Sequence, residues 1–145
     1  MSQINSFRDL EVYTMAFALQ QQIFQLSKKW PADERFSLTS QIRRSSRSMG
    51  SNLAEAWAKR RYPAHFLSKL TDSDGERQET EHWLCTVEAC QYEPPATTEE
   101  LRSSITTMGK MLGRMMEKHA SFCLCVREAS EDSYCSTAPS PISDL

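Results

Sequence analysis

"QIRRSSRSMGSNLAEAWAKRR", residues 41–61, decides how this chain folds and what it can touch. Six of its 21 residues are Arg or Lys, only Glu55 is acidic, and Ser, Ala and Gly separate the rest. Wound at about 100° per residue, Leu38, Ile42, Met49, Leu53, Ala56 and Trp57 fall in one sector. Arg43, Arg44, Arg47 and Arg61 fall in the opposite sector, beside Ser51, Ala54 and Ala58. The stretch reads as an amphipathic helix over residues 37–61 with an arginine-bearing outer face. Ser45, Ser46, Gly50 and Ala54 are small enough to let a second helix approach closely.

Three further helical segments surround it. Upstream, Val12, Ala16, Leu19, Ile23, Leu26 and Trp30 recur at alternating spacings of 4 and 3, the seam of a bundle helix over about residues 8–30. Pro31 ends that seam, because the residue before a proline is pushed out of helical geometry. Downstream, Pro63 suits the first turn of a helix running to about residue 92. Its apolar stripe of Phe66, Leu70, Thr80, Leu84 and Val87 is thin, and Asp74, Arg77, Glu81 and Glu88 project beside it. Gly75 in its middle suggests a packing requirement, since Gly costs about 1 kcal/mol there relative to Ala. A fourth helix over residues 98–127 is expected to start at a capping box, Thr97-x-x-Glu100. Leu101, Ile105, Met108, Leu112, Met115, His119 and Phe122 follow in 4-3 spacing. Scarce Gly, frequent Met and no strand-like alternation agree with an all-α chain. Four long segments with short connections predict an antiparallel up-down-up-down four-helix bundle over residues 1–127. Residues 128–145 are polar and acidic and read as a disordered tail.

At 145 residues the chain suits one domain. No apolar span approaches the 20 residues a membrane needs, and "MSQINSFRDLEVY" has no basic-then-apolar leader, so a cytoplasmic protein is expected. Five cysteines in irregular spacing suit reduced thiols better than a disulfide framework. Cys85, Cys90 and Cys123 read as small, partly buried residues.

Enzymatic chemistry finds little support. A di-iron bundle needs two Glu-x-x-His pairs, and only Glu79-x-x-His82 has the spacing. A zinc site from His82, Cys85, His119 and Cys123 fails on distance. If the third and fourth helices run antiparallel about "EPP", the two pairs lie about 20 Å apart. Phosphate loops, nucleophile elbows and Cys-His pairings are missing from the sequence. Gly109-x-x-x-Gly113 allows a helix contact at most. No catalytic residue, metal or cofactor is expected, and the chain reads as a non-enzyme.

Charge carries the functional signal. Residues 35–61 hold seven bases against one acid, while residues 64–93 hold two bases against seven acids. One reading makes this an assembly or interaction module, with Arg43, Arg44 or Arg47 paired to the acidic third helix within or between subunits. Asp74, Arg77, Glu79 and Glu81 are the candidates there for interhelix or intersubunit salt bridges. The alternative is nucleic-acid binding, with Arg43, Arg44, Arg47, Lys59, Arg60 and Arg61 on phosphates. The charge split favours assembly.

The order of features resembles a known family. Phe7, Leu10 and Val12, then Pro31, Glu34, Leu38, Gln41, Ile42, Arg43 and Arg44, then Ser51, Asn52, Leu53, Ala54 and Glu55, stand at the positions of its motifs. Phe66, Gly75, Glu79, Glu81 and Leu84 continue the pattern to about residue 92. These are the four-helix-bundle proteins encoded within intervening sequences of 23S ribosomal RNA genes. Here Trp30 stands where Phe is usual and Ala56 where Gly is usual, and "TDSDGERQETEHW" is more acidic than the average member. The resemblance implies an antiparallel bundle that assembles into a ring-like homopentamer of bacterial origin. It also implies a relative, the accessory variability determinant of diversity-generating retroelements, a basic pentamer that binds nucleic acid and a reverse transcriptase. The partners expected are therefore further copies of the chain, then nucleic acid or a reverse transcriptase, with no membrane.

Overall fold

A computed structural model describes residues 3–124 and contains four long helices. These are α1 (Glu11–Ser27), α2 (Ser40–Ala58), α3 (Pro63–Ala89) and α4 (Pro95–Glu117), followed by a one-turn α5 (His119–Phe122). There is no strand among the described residues, and no described helix is long and apolar enough to cross a membrane. The acidic segment 128–145 lies outside the described residues.

The periodic apolar positions form one core. Val12, Ala16, Leu19 and Ile23 of α1 meet Ile42, Met49, Leu53 and Ala56 of α2, with Phe66, Leu70, Leu84 and Val87 of α3 and Leu101, Ile105, Met108 and Leu112 of α4. Burying a side chain of this size stabilises the fold by about 1.5–3 kcal/mol before entropic costs. The α2–α3 pair has the most extensive contact and is built from small polar residues. Ser45, Ser46, Ser73 and Thr80 are all fully buried. The Ser73 hydroxyl donates to the Met49 carbonyl at 2.9 Å. Thr80 donates to Ser45 Oγ at 2.9 Å, and Ser45 donates in turn to the Ile42 carbonyl at 3.3 Å. Each buried hydroxyl thus has a partner, which removes the penalty of an unmade bond. Gly50 provides the corresponding close approach to α1, where an added Cβ would meet the Tyr13 ring at 3.4 Å.

The helix ends differ from expectation. Phe7–Asp9 forms a separate 3-10 turn capped by Ser6, so α1 starts at Glu11 and not at residue 8. It also ends early, at Ser27, leaving Lys28–Trp30 in a turn ahead of Pro31. Before α2 the chain makes a π-helical turn, Arg35–Thr39, and α2 stops at Ala58. Lys59, Arg60 and Arg61 therefore lie in the turn before Pro63, not on the helix. α3 ends at Ala89 because Gln91 takes a left-handed conformation (φ 57°). The Tyr92 and Gln91 amides then close on the Val87 and Glu88 carbonyls, both at 3.1 Å.

The Thr97 capping box does not form. Pro95 occupies the first position of α4, and Thr97 already lies inside its first turn. Lys118 leaves helical geometry (φ −106°, ψ 20°), so His119 and Phe122 sit on α5 and are only half-buried, off the α4 seam. Trp57 is half-buried instead of in the core, and Cys85 and Cys90 are exposed instead of partly buried. Gly75 is exposed with nothing within 4 Å of an added Cβ, so no packing contact explains it.

Candidate interaction surface on the arginine face

Winding from the π-helical turn into α2 places residues 36, 40, 43, 47 and 51 along one ridge, turned away from Leu38, Ile42 and Met49. This ridge, with Arg35 and Arg44, lines a shallow concavity of about 580 Å³. Its three sequence-identified arginines have different surroundings.

Arg44 is engaged by α3. Its guanidinium forms an ion pair with Glu79 and lies 3.5 Å from Glu76. Partial burial opposes charge on Arg44, but the charges and hydrogen bonds of Glu76 and Glu79 outweigh it and raise its pKa. Burial pushes the Glu76 carboxyl above its ordinary value, helped by Glu79 and opposed by Arg44.

Arg43 and Arg47 turn toward α1. Arg43 donates through Nε to Ser27 Oγ at 2.7 Å, and its guanidinium sits 4.8 Å from the Phe24 ring centroid. Arg47 lies 5.3 Å from the same centroid and Lys28 Nζ 4.7 Å from it, so three cations surround one ring. Arg35 lies over the ring of Phe36, at 5.5 Å from its centroid. Among the described residues no carboxylate lies within ion-pairing distance of Arg35, Arg43 or Arg47.

The second basic cluster is elsewhere. Lys59 follows Arg47 by twelve residues, about 18 Å along the helix axis. Arg60 stacks on Trp57 at 3.5 Å from the centroid and donates through Nε to the Trp57 carbonyl at 2.8 Å. Burial lowers its pKa. Its own carbonyl accepts the Leu124 amide at 3.0 Å, which ties the end of the described chain to this turn. Lys59 and Arg61 are exposed. The six basic positions read from the sequence thus form two surfaces, one at each end of α2.

The acidic candidates are distributed as ion pairs within the chain. Asp74 accepts from Arg77 Nε at 2.7 Å on α3 itself, and Glu81 lies 3.8 Å from Arg77. Glu81 also reaches Arg102 of α4 at 3.3 Å, and Arg102 pairs with Glu88 as well. Glu55 and Lys69 join α2 to α3 at 2.7 Å. Sequence reasoning missed Glu55, Lys69, Glu76, Glu88 and Arg102 in these pairs, and it missed Arg35 and Phe36 on the concavity. Phe36 carried a signal that could have found it: it falls outside the sector of Leu38 and Ile42 and is flanked by Arg35 and Ser37.

Among curated proteins, none matches this chain. A crystal structure at 1.70 Å resolution of a protein of unknown function from the S23 ribosomal protein family of Bacteroides thetaiotaomicron VPI-5482 is similar in fold, with a TM-score of 0.66. The two share 27% identity over 73% of this chain and 95% of that one. The family model of the 23S rRNA-intervening sequence proteins matches residues 8–114, the whole span from the start of α1 to the last turn of α4. The chain belongs to the 23S rRNA-intervening sequence protein family.

Proposed function

We propose that the protein is a non-enzymatic interaction module that works as an assembly of identical chains. Each chain is an antiparallel up-down-up-down four-helix bundle. Falling register supports that topology: Met49 meets Ser73 and Ser45 meets Thr80 across α2–α3, while Arg77 meets Ile105 and Glu88 meets Arg102 across α3–α4. The observation that carries the assembly reading is an aromatic row that runs from the half-buried Phe7 and Tyr13 out to an exposed Phe17 on α1. Phe7 packs edge-on against Tyr13 at 4.9 Å, and Tyr13 stacks on Phe17 at 6.2 Å, yet Phe17 remains 47% exposed. A contiguous aromatic patch of this kind marks a protein contact more often than an isolated apolar side chain does. Five copies is the number the family resemblance implies. Light scattering at micromolar concentration should then give about five times the 16.6 kDa chain mass, and Phe17→Ser should lower it. A monomer at the chain mass rejects the reading.

A second reading is favoured by one feature. Arg35, Arg43 and Arg47 line the same concavity without carboxylate partners, an arrangement suited to phosphates. Nucleic acid bound there would be held largely by phosphate neutralisation, so its affinity should fall steeply with salt.

A further inference from the structure

An isolated exposed apolar side chain is ordinary on a protein surface. Phe36 differs in its surroundings. It is 85% exposed, it is held on the π-helical turn that leads into α2, and it shares its concavity with arginines. Arg35 lies over one face of its ring and leaves the other open. Arg43 and Arg47 are one helical turn apart, about 6 Å along the axis, and both rest on Phe24. A guanidinium resting on a ring has its plane fixed while its edge N–H groups face outward. Arg43 uses Nε on Ser27 and keeps its other donors. The concavity therefore offers the open face of a ring whose other face carries Arg35 and, next to it, oriented phosphate donors.

We propose that this concavity binds single-stranded nucleic acid, with an unpaired base stacked on Phe36 and neighbouring phosphates held by Arg35, Arg43 and Arg47. The proposal rests on the phosphate-binding reading above and adds the ring to it. A duplex keeps its bases stacked on one another and presents none to Phe36, whereas a single strand can turn one out. Any base has a face to stack, so the site discriminates strandedness and not sequence.

The test is fluorescence anisotropy of the full chain at low salt, using a fluorescein-labelled single strand about ten nucleotides long and the duplex of the same sequence. Phe36→Ala should weaken single-strand binding about tenfold and leave duplex binding unchanged, and Phe36→Trp should restore it. Replacing Arg35, Arg43 and Arg47 together with Ala should weaken both and flatten the salt dependence. If the arginines matter for both probes and Phe36 for neither, phosphate binding stands and the stacking proposal is overturned. If neither probe binds the wild-type protein, the phosphate reading falls and the proposal falls with it. Light scattering on Phe36→Ala closes the remaining route: a loss of assembly mass would make the ring a subunit contact and overturn the proposal.

Discussion

The Arg77 guanidinium fills the space that a side chain on Gly109 would need. A Cβ built at Gly109 would lie 2.8 Å from Arg77 Cζ, while one at Gly113 would have nothing within 4 Å. Arg77 is held there by Asp74 at 2.7 Å and by the Ile105 carbonyl at 3.5 Å. The glycine pair on α4 is thus a cradle for one arginine at its first member and open at its second.

Gly113→Ala should accordingly stabilise the protein by about 1 kcal/mol, the helix-propensity difference. Gly109→Ala should not, because Arg77 must give up its bonds. Placed on an Arg77→Ala background, however, Gly109→Ala should regain that stabilisation. Urea unfolding of the four proteins measures the coupling. Equal effects of Gly109→Ala in both backgrounds would remove the cradle explanation.

Trp30 and Glu93, 63 positions apart, are joined by a buried hydrogen bond in which Trp30 Nε1 donates to the Glu93 carboxylate at 2.9 Å. The Glu93 side chain is 1% exposed, and Lys29 Nζ lies 3.2 Å from its other oxygen. Trp30→Phe keeps a ring but removes the donor, leaving that buried carboxylate with Lys29 alone. The expected cost is about 1.5–3 kcal/mol. A variant within about 0.5 kcal/mol of wild type in denaturant titration, the range of neutral surface changes, would show that the bond does not anchor the α1 end to the α3–α4 connection.

Glu76 gives a pH signature. Its folded pKa is raised above the ordinary 4.5, first by burial. The folded state therefore holds this proton more tightly than the unfolded chain does. The resulting stabilisation is complete below about pH 4.5 and is lost as pH rises through the folded value. Glu76→Gln carries no such titration. Measured against wild type at about pH 4 and about pH 7, the variant should gain in relative stability at the higher pH. A difference that stays constant, or moves the other way, would contradict the raised pKa.

Gln91 holds a left-handed conformation that costs most side chains about 1–2 kcal/mol. Gln91→Gly relieves that strain while adding freedom to the unfolded chain, so a net stabilisation of about 0.5–1 kcal/mol is expected. Thermal unfolding checks it. A lower melting temperature would mean that the Gln91 side chain contributes a contact worth more than the strain.

The core was legible because it depends only on spacing. Val12, Ala16, Leu19 and Ile23, like Leu101, Ile105, Met108 and Leu112, are buried where a period near 3.5 puts them. Even the thin stripe of α3, with Thr80 in it, reads correctly, because a threonine among apolar neighbours can bond to a serine across the interface. Helix ends were less legible: they depend on competing caps, and α4 starts at Pro95, two residues before the Thr97 that the capping box marks. The candidate site was half legible. Arg43, Arg44 and Arg47 share a face by periodicity alone, but which of them meets a carboxylate depends on the rotation of α3, which spacing does not specify. Arg61 falls on that face only if the helix continues to it, and α2 stops at Ala58, ahead of Lys59, Arg60 and Arg61.

The small polar seam between α2 and α3 has a mechanical consequence. Greasy contacts tolerate sliding, since one methyl replaces another at little cost. Ser73 on Met49 and Thr80 on Ser45 do not: a slip by one helical turn, about 5.4 Å, would strand the buried Ser73 hydroxyl and break the Thr80–Ser45 bond, leaving Thr80 only the Glu76 carbonyl of its own helix. Axial displacement is therefore penalised at two levels along the pair, and α2 and α3 should move as one stiff beam. The turn carrying Phe36 and Arg35 is mounted directly on that beam, while the aromatic row of α1 is fixed to it chiefly through apolar packing. Load or rearrangement passing through the protein would then be taken up by α1 and α4: the Phe36 turn travels with the beam, whereas Arg43 and Arg47, which lean on Ser27 and Phe24, follow any shift of α1.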